Sequence, residues 1–269
     1  MQIKALIKDV YKKRDPWSHK GDFGKVLVIG GSNVYTGAPA LVGLAALKSG
    51  CDLVYIAAPK KAADISASFS PNLITFPLHG DFLTNKHFKE TQKIRADAVV
   101  FGNGLGEKSS SFCKLMWKTK KPCVIDGDAL KYLPKGLNKN FVLTPHEGEF
   151  SIIAGRKIPK DLEARKALVK TYAKKLNCTI LLKGHIDIVS DGSIVFENKT
   201  GNPYMTKGGT GDVLAGICGA LLARGVDPFK AACLAAYISG AAGDLAAKKY
   251  GESLLATDVI EEIKNVVNL

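Results

Sequence analysis

The sequence predicts a single α/β domain over residues 1–269, with a mostly parallel central sheet and helices on both faces. Two observations predict it. Short continuous apolar runs alternate with helical stretches, the pattern of βαβ units. Gly-rich or polar clusters then close run after run, as loops at the carboxyl ends of parallel strands do. Composition agrees: 46% hydrophobic and 23% charged residues are globular proportions. A chain this long buries roughly three quarters of its unfolded surface and needs no disulfide or metal staple. The 27 glycines exclude a helical bundle or coiled coil.

KVLVIGG at residues 25–31 is a strand buried on both faces and stopped by two glycines. A polar loop, residues 32–37, leads to a helix over 38–49 that Gly50 ends, and residues 53–58 form the second strand. Residues 98–101 are a strand opening into GNGLG, followed by a helix over 109–119. Strands at 122–126 and 141–144, a helix at Leu162–Leu176 and a strand at Thr179–Leu182 continue the alternation. Asp191-Gly192 marks a hairpin between residues 187–190 and 194–197. Helices over 210–224, 228–249 and 257–267 complete the chain. Right-handed crossovers place helices on both sheet faces.

Charge and cysteine exclude more than they identify. The formal charge is +13, but only five of the 38 basic residues are Arg and the lysine pairs are scattered. Base readers rely on the Arg fork, so the basic excess reads as a solvated surface and no nucleic-acid partner is expected. No apolar run reaches the ~20 residues of a membrane span, so no membrane partner is expected either. The N-terminus lacks a signal-peptide core, which points to the cytoplasm. The six cysteines have no metal-knuckle spacing and read as buried structural thiols. No protein-built metal site is expected.

The chemistry concentrates in NPYMTKGGTGD, residues 202–212, which opens a helix. Gly208, Gly209, Thr210 and Gly211 present backbone N–H groups at a helix N-terminus, an anion hole suited to phosphate. The Gly-Lys-Ser/Thr ending of a Walker A loop is absent. Asp212 stands in the first helical turn beside that hole. On the motif alone it is either a helix-terminal carboxylate or a general base beside a phosphoryl acceptor. Five strand ends carry functional-looking loops: Gly30-Gly31-Ser32, Gly102-Asn103-Gly104, Asp126-Gly127-Asp128, Thr144-Pro145-His146 and Lys183-Gly184. Their convergence predicts one site.

GGTGD at residues 208–212 resembles the anion-hole and base motif of the ribokinase-like superfamily. GDFGKVLVIGGS (21–32), GAPALVGLAALKSG (37–50), GNGLG (102–106), VIDGDAL (124–130), LTPHEGEF (143–150), LLKG (181–184) and GNPYMTKGGTGDVLAG (201–216) resemble the ADP/ATP-dependent NAD(P)H-hydrate dehydratase family. The blocks keep family order over roughly residues 20–250. Where the family usually has Gly-Pro-Gly-Leu-Gly, this chain has Gly-Asn-Gly-Leu-Gly. The resemblance implies a ribokinase-like three-layer α/β/α sandwich. It also implies a lyase of metabolite repair that restores NADH and NADPH from their hydrates, NADHX and NADPHX, at the expense of ADP or ATP. Asp212 is then the catalytic base. Ala40, Gly104 and His146 line the hydrate site together with Asp212, and Lys183, Gly184, His185, Ile186, Asp187 and Gly211 contact the nucleotide. Mg2+ arrives with the nucleotide. A homo-oligomer, commonly a tetramer, and a separate epimerase chain are further implications. The alternative is a small-molecule kinase of the same superfamily, similar to hydroxyethylthiazole kinase.

Overall fold

The computed structural model describes residues 2–268. In chain order the elements are α1 (Ile3–Val10), β1 (Lys25–Ile29), α2 (Ala38–Lys48), β2 (Leu53–Pro59), α3 (Lys60–Phe69), β3 (Leu73–Leu78), α4 (Phe88–Gln92), β4 (Ala98–Phe101), α5 (Ser110–Met116) and β5 (Cys123–Ile125). They continue with β6 (Phe141–Leu143), α6 (Glu147–Ala154), α7 (Leu162–Leu176), β7 (Thr179–Leu182), β8 (Asp187–Ser190), β9 (Val195–Asn198), α8 (Thr210–Ala223), α9 (Pro228–Tyr250) and α10 (Ala256–Val267). The expected strands and long helices are present, several with the expected bounds and the others with ends within three residues of them. The sequence reading had no element at α1, α3, β3, α4 or α6.

The nine strands form one sheet in the order β3-β2-β1-β4-β5-β6-β7-β8-β9. All pairs from β3 to β7 are parallel, while β7–β8 and β8–β9 are antiparallel. Alternate strand residues therefore face two cores. Val26, Val28, Val54, Ile56, Val100, Val124 and Leu181 pack under α2, α8, α9 and α10. Leu27, Ile29, Val99, Phe101, Ile125, Phe141 and Leu182 pack with Phe112 and Met116 of α5, Phe150 of α6 and Val169 of α7. This is the α/β/α sandwich the sequence predicts.

Helix α8 is apolar all round, with every residue from Val213 to Ala223 buried. Such a helix must be sandwiched. Gly216 allows its close approach to α2, because a Cβ there would lie 2.9 Å from the Ala45 Cβ. Asp227 starts α9 by accepting hydrogen bonds from the Phe229 and Lys230 N–H groups, with Pro228 at the first position. The six cysteines are all buried and unpaired.

The chain lays down β1, β2 and β3 toward one edge, then crosses back to place β4 on the other side of β1. The strand order thus reverses between β1 and β4, where open α/β sheets form their crevice. There the Gly31 N–H donates to the Asn103 carbonyl at 2.8 Å and the Gly102 N–H to the Ile29 carbonyl at 3.1 Å. The GNGLG loop is fixed over the switch point.

Candidate active site

The centre of the site is a network of five side chains from five strand or helix ends. Asp126, just past β5, is 4% exposed. Its Oδ1 accepts from Thr144 Oγ1 at 2.8 Å, past β6, and from Lys183 Nζ at 2.9 Å, past β7. Its Oδ2 accepts from Asn103 Nδ2 at 2.9 Å, past β4. The same Asn103 nitrogen donates to Asp212 Oδ1 at 2.6 Å, in the first turn of α8. Parallel neighbours β4, β5, β6 and β7 all end on this side of the sheet, so sequence-distant residues meet.

The two aspartates differ in their support. Asp126 is surrounded by donors. Asp212 has the Asn103 bond alone among the described residues. Burial pushes the Asp212 carboxyl up to about 7, and the nearby Asp126 charge adds to the rise. The Asn103 hydrogen bond and the Lys183 ammonium oppose it without cancelling it. Asp212 is thus poised to exchange a proton near neutral pH. Burial disfavours the Lys183 ammonium, but the carboxylates of Asp126, Glu149 and Asp212 together outweigh that and hold its pKa above the ordinary lysine value.

The anion hole is formed by backbone geometry. Gly209 precedes α8 at φ +97°, a left-handed conformation that a side chain would resist. No side chain caps α8; the Thr210 N–H donates to the Lys207 carbonyl at 3.4 Å, and the N–H groups flanking it in the turn are left for an anion. Gly211 brings that turn against Lys183, since a Cβ there would sit 3.3 Å from Nζ.

A cleft of about 710 Å³ opens beside this turn. Thr210, Gly211, Lys183, Gly184, His185, Asp187 and His146 line it, together with Thr200, Asn202 and Ser239. Ile186, Gly208, Gly209 and Asp212 are not among its lining residues. Asp187 holds the turn after β7: its carboxylate accepts from the Gly184 N–H and from Asn198 Nδ2, both at 3.0 Å. His146 begins α6. Its Nδ1 accepts from the Gly148 and Glu149 N–H groups, and Glu149 accepts from the His146 N–H at 2.8 Å. His146 is therefore a helix cap as well as a cleft wall, with its Nε2 3.6 Å from Glu149 Oε2.

Gly104 lies at the switch point with φ +68°, where a Cβ would meet Tyr35 Cβ at 2.7 Å and Ala38 Cβ at 3.2 Å. Ala40 is 2% exposed and faces the core from α2, so Ala38 is the alanine beside Gly104. Sequence reasoning missed the roles of Asn103 and Thr144. The position of VIDGD at a strand end was the available signal for Asp126; Asn103 and Thr144 become visible only with the strand order. Among the described residues, no group of three or more His, Cys, Asp or Glu side chains could hold a metal ion.

Comparison with known proteins places this geometry. The family model described as NAD(P)H-hydrate dehydratase matches residues 26–265. The bifunctional NAD(P)H-hydrate repair enzyme of Pyrobaculum aerophilum is 44% identical over 93% of this chain and 52% of its own length. The chain spans about half the length of the bifunctional relatives it matches. The ADP-dependent (S)-NAD(P)H-hydrate dehydratase of Nitrosopumilus maritimus is 40% identical over 98% of this chain and 95% of its own. The ADP/ATP-dependent NAD(P)H-hydrate dehydratase of Bacillus subtilis, crystallised with ATP and Mg2+, superposes with a TM-score of 0.85 at 27% identity, covering 98% of this chain and 96% of that one. The switch-point crevice, the glycine turn and the buried aspartate beside a lysine stand in a chain that belongs to the NAD(P)H-hydrate dehydratase family.

Proposed function

We propose that this chain dehydrates NADHX and NADPHX to NADH and NADPH, converting ADP to AMP and phosphate or ATP to ADP and phosphate. The observation that carries the reading is Asp212, half-buried in the first turn of an uncapped helix, with its pKa raised to about 7. Hydroxide is a poor leaving group from the hydrated ring. Phosphoryl transfer to that hydroxyl makes it a phosphate ester. Asp212 accepts the hydroxyl proton as the O–P bond forms and the nucleotide's P–O bond breaks. The N–H groups of residues 208–211 stabilise the charge spread over the transferring group. The ring then expels phosphate and sheds a carbon-bound proton, which restores its double bond.

In this reading Lys183, Gly184, His185, Ile186, Asp187 and Gly211 serve the nucleotide, and the cleft volume and lining support that for all but Ile186. Gly104 and His146 face the hydrate with Asp212. Ala40, on the buried face of α2, acts through the packing of that helix. Mg2+ would come as a companion of the nucleotide phosphates and be held by them. The dehydratase name of the N. maritimus relative supports ADP as co-substrate. Among the described residues no helix is long and apolar enough to cross a membrane. We place the enzyme in the cytoplasm as a homo-oligomer, a tetramer by resemblance, served by a separate epimerase chain.

The test is to supply NADHX with ADP and with ATP and follow the absorbance of reduced nicotinamide. Recovery that requires nucleotide is expected. A stable phosphorylated product without recovery would mean a kinase instead.

A further inference from the structure

We propose that Asn103 is the positioning residue of this site: its amide ties Asp212 to Asp126 and leaves the second oxygen of Asp212 to face the substrate. The inference rests on Asp212 being the proton acceptor proposed above. It starts from the two short contacts of one nitrogen, 2.9 Å to Asp126 Oδ2 and 2.6 Å to Asp212 Oδ1. Both neighbours are carboxylate oxygens, which accept. The amide must present its nitrogen to them, and its two N–H bonds supply one to each.

That orientation has a cost. Asn103 is 2% exposed, and its Oδ1 is buried with no hydrogen-bond partner. Folded proteins rarely leave such an acceptor orphaned, and where they do a local reason is expected. Here the two carboxylates hold the amide in place against the loss. The loop cannot relax around it, because the Asn103 carbonyl is bonded to the Gly31 N–H and Gly104 is packed against Tyr35. Asp126 is in turn anchored by Thr144 and Lys183. The tether therefore runs from a rigid sheet end to the first turn of α8. It fixes Asp212 Oδ1, while Oδ2 has no protein partner among the described residues.

The tether also sets when Asp212 can work. The charged groups around Asp212 are Asp126 past β5 and Lys183 past β7, with Glu149 of α6 acting on Lys183. Burial and Asp126 favour the protonated acid. The Asn103 amide and Lys183 favour the carboxylate. Removing the amide leaves Lys183 alone against both, so the base would ionise at higher pH.

The test compares wild type with Asn103→Ala and with Asn103→Leu, which keeps the volume without the donor. The Asp212 carboxyl is titrated in the unliganded protein by carboxyl ¹³C NMR, with Asp212→Asn identifying its signal. Loss of a hydrogen bond to a charged group should raise that titration by about one to two pH units. The acid limb of the kcat/KM profile should rise by the same amount, with activity approaching wild type above it. An unmoved titration in whichever variant folds overturns the proposal, as does a loss of activity that is equal at every pH. Failure of the wild type to restore nicotinamide absorbance would sink the proposed reaction, while the titration would still decide the tether.

Discussion

The two ends of the sheet both gather buried charge beside a cleft, yet they treat it in opposite ways. At the amino ends of the strands a second cleft, of about 630 Å³, is lined by Arg14, Phe23, Arg224 and Lys230. Beside it Asp52 accepts from the Gly21 N–H at 2.8 Å, from the Phe23 N–H at 3.1 Å and from Arg14 at 2.9 Å. Burial alone would raise its pKa, but those donors together hold the Asp52 carboxyl below the usual range. The Arg14 guanidinium carbon lies over the Phe23 ring, 3.7 Å from its centroid. At the carboxyl ends Asp212 has one donor and a pKa of about 7. A carboxylate satisfied on both oxygens is a structural clasp. One left half-satisfied in a buried site is held ready to take a proton.

The difference is broken most strongly at Asp212. We predict that Asp212→Asn keeps its fold and its nucleotide binding but loses about 10²–10⁴-fold in kcat, the usual cost of removing a positioned general base. A variant retaining more than about half of wild-type kcat would show Asp212 to be part of the helix terminus and nothing more. In wild type, Asp212 must be ionised to accept a proton, so kcat/KM should rise with pH through about 7. Stability follows the opposite sign. The folded-state pKa is raised, so the group's contribution is fully present below the unfolded carboxylate value and is lost as pH climbs to about 7. Asp212→Asn has no such loss. Its melting temperature should gain on wild type between acid and neutral pH and then hold that gain. A constant offset across that range would show that Asp212 is not perturbed in the fold.

The amino end should break differently. We predict that Asp52→Ala costs about 3 kcal/mol of stability, because it strands two N–H groups and an arginine. In a chain of this size that is a fall of several degrees, at about 2–4 °C per kcal/mol. Because the Asp52 pKa is depressed, the loss should be fully expressed above the ordinary carboxylate range and shrink in acid. Activity per folded molecule should not change. A lowered kcat with an unchanged melt would mean that the two ends communicate, and the contrast drawn here would fail.

How much of this was legible in the sequence depended on which signals are local. Strands β1, β2 and β4 announce themselves because a largely buried strand is an unbroken apolar run, and glycines close β1 and β4. Edge strand β3 hides: only its end residues Leu73 and Leu78 are buried, and Pro77 interrupts the run. Helix α3 follows β2 with no loop between them, so no turn signal marks it. The glycine turn and Asp212 were readable because the whole motif lies within a few residues. The Asn103 tether was not, because it joins positions 23 and 109 residues apart that meet only through the strand order. The alanine beside Gly104 shows the same limit. Ala38 and Ala40 are equivalent in composition, and only the rotation of α2 separates a loop contact from a core residue.

The smallest expected effect sharpens the comparison by asking which end takes an anion. Both clefts carry basic side chains, and the formal charge of +13 gives either one a diffuse attraction for polyanions. At about 150 mM salt that attraction is largely screened, since the Debye length is about 8 Å. A turn of convergent N–H groups at a helix start is screened less, because it binds by direct contact. Arg14 and Arg224 are already engaged with Asp52, Gly50 and Val10, so the amino-end cleft has little to offer a phosphate. Nucleotide at ~100 times Kd should add about 2.7 kcal/mol to stability. Melts with ADP, ATP, AMP and an oligonucleotide would read this as a rise of several degrees for ADP or ATP and none for the oligonucleotide. The Gly211→Ala variant should abolish the rise, because its Cβ would press within 3.3 Å of Lys183 Nζ. If the oligonucleotide raises the melting temperature while saturating ADP and ATP do not, the lysine surface is the anion site and the glycine turn is only a way to start a buried helix.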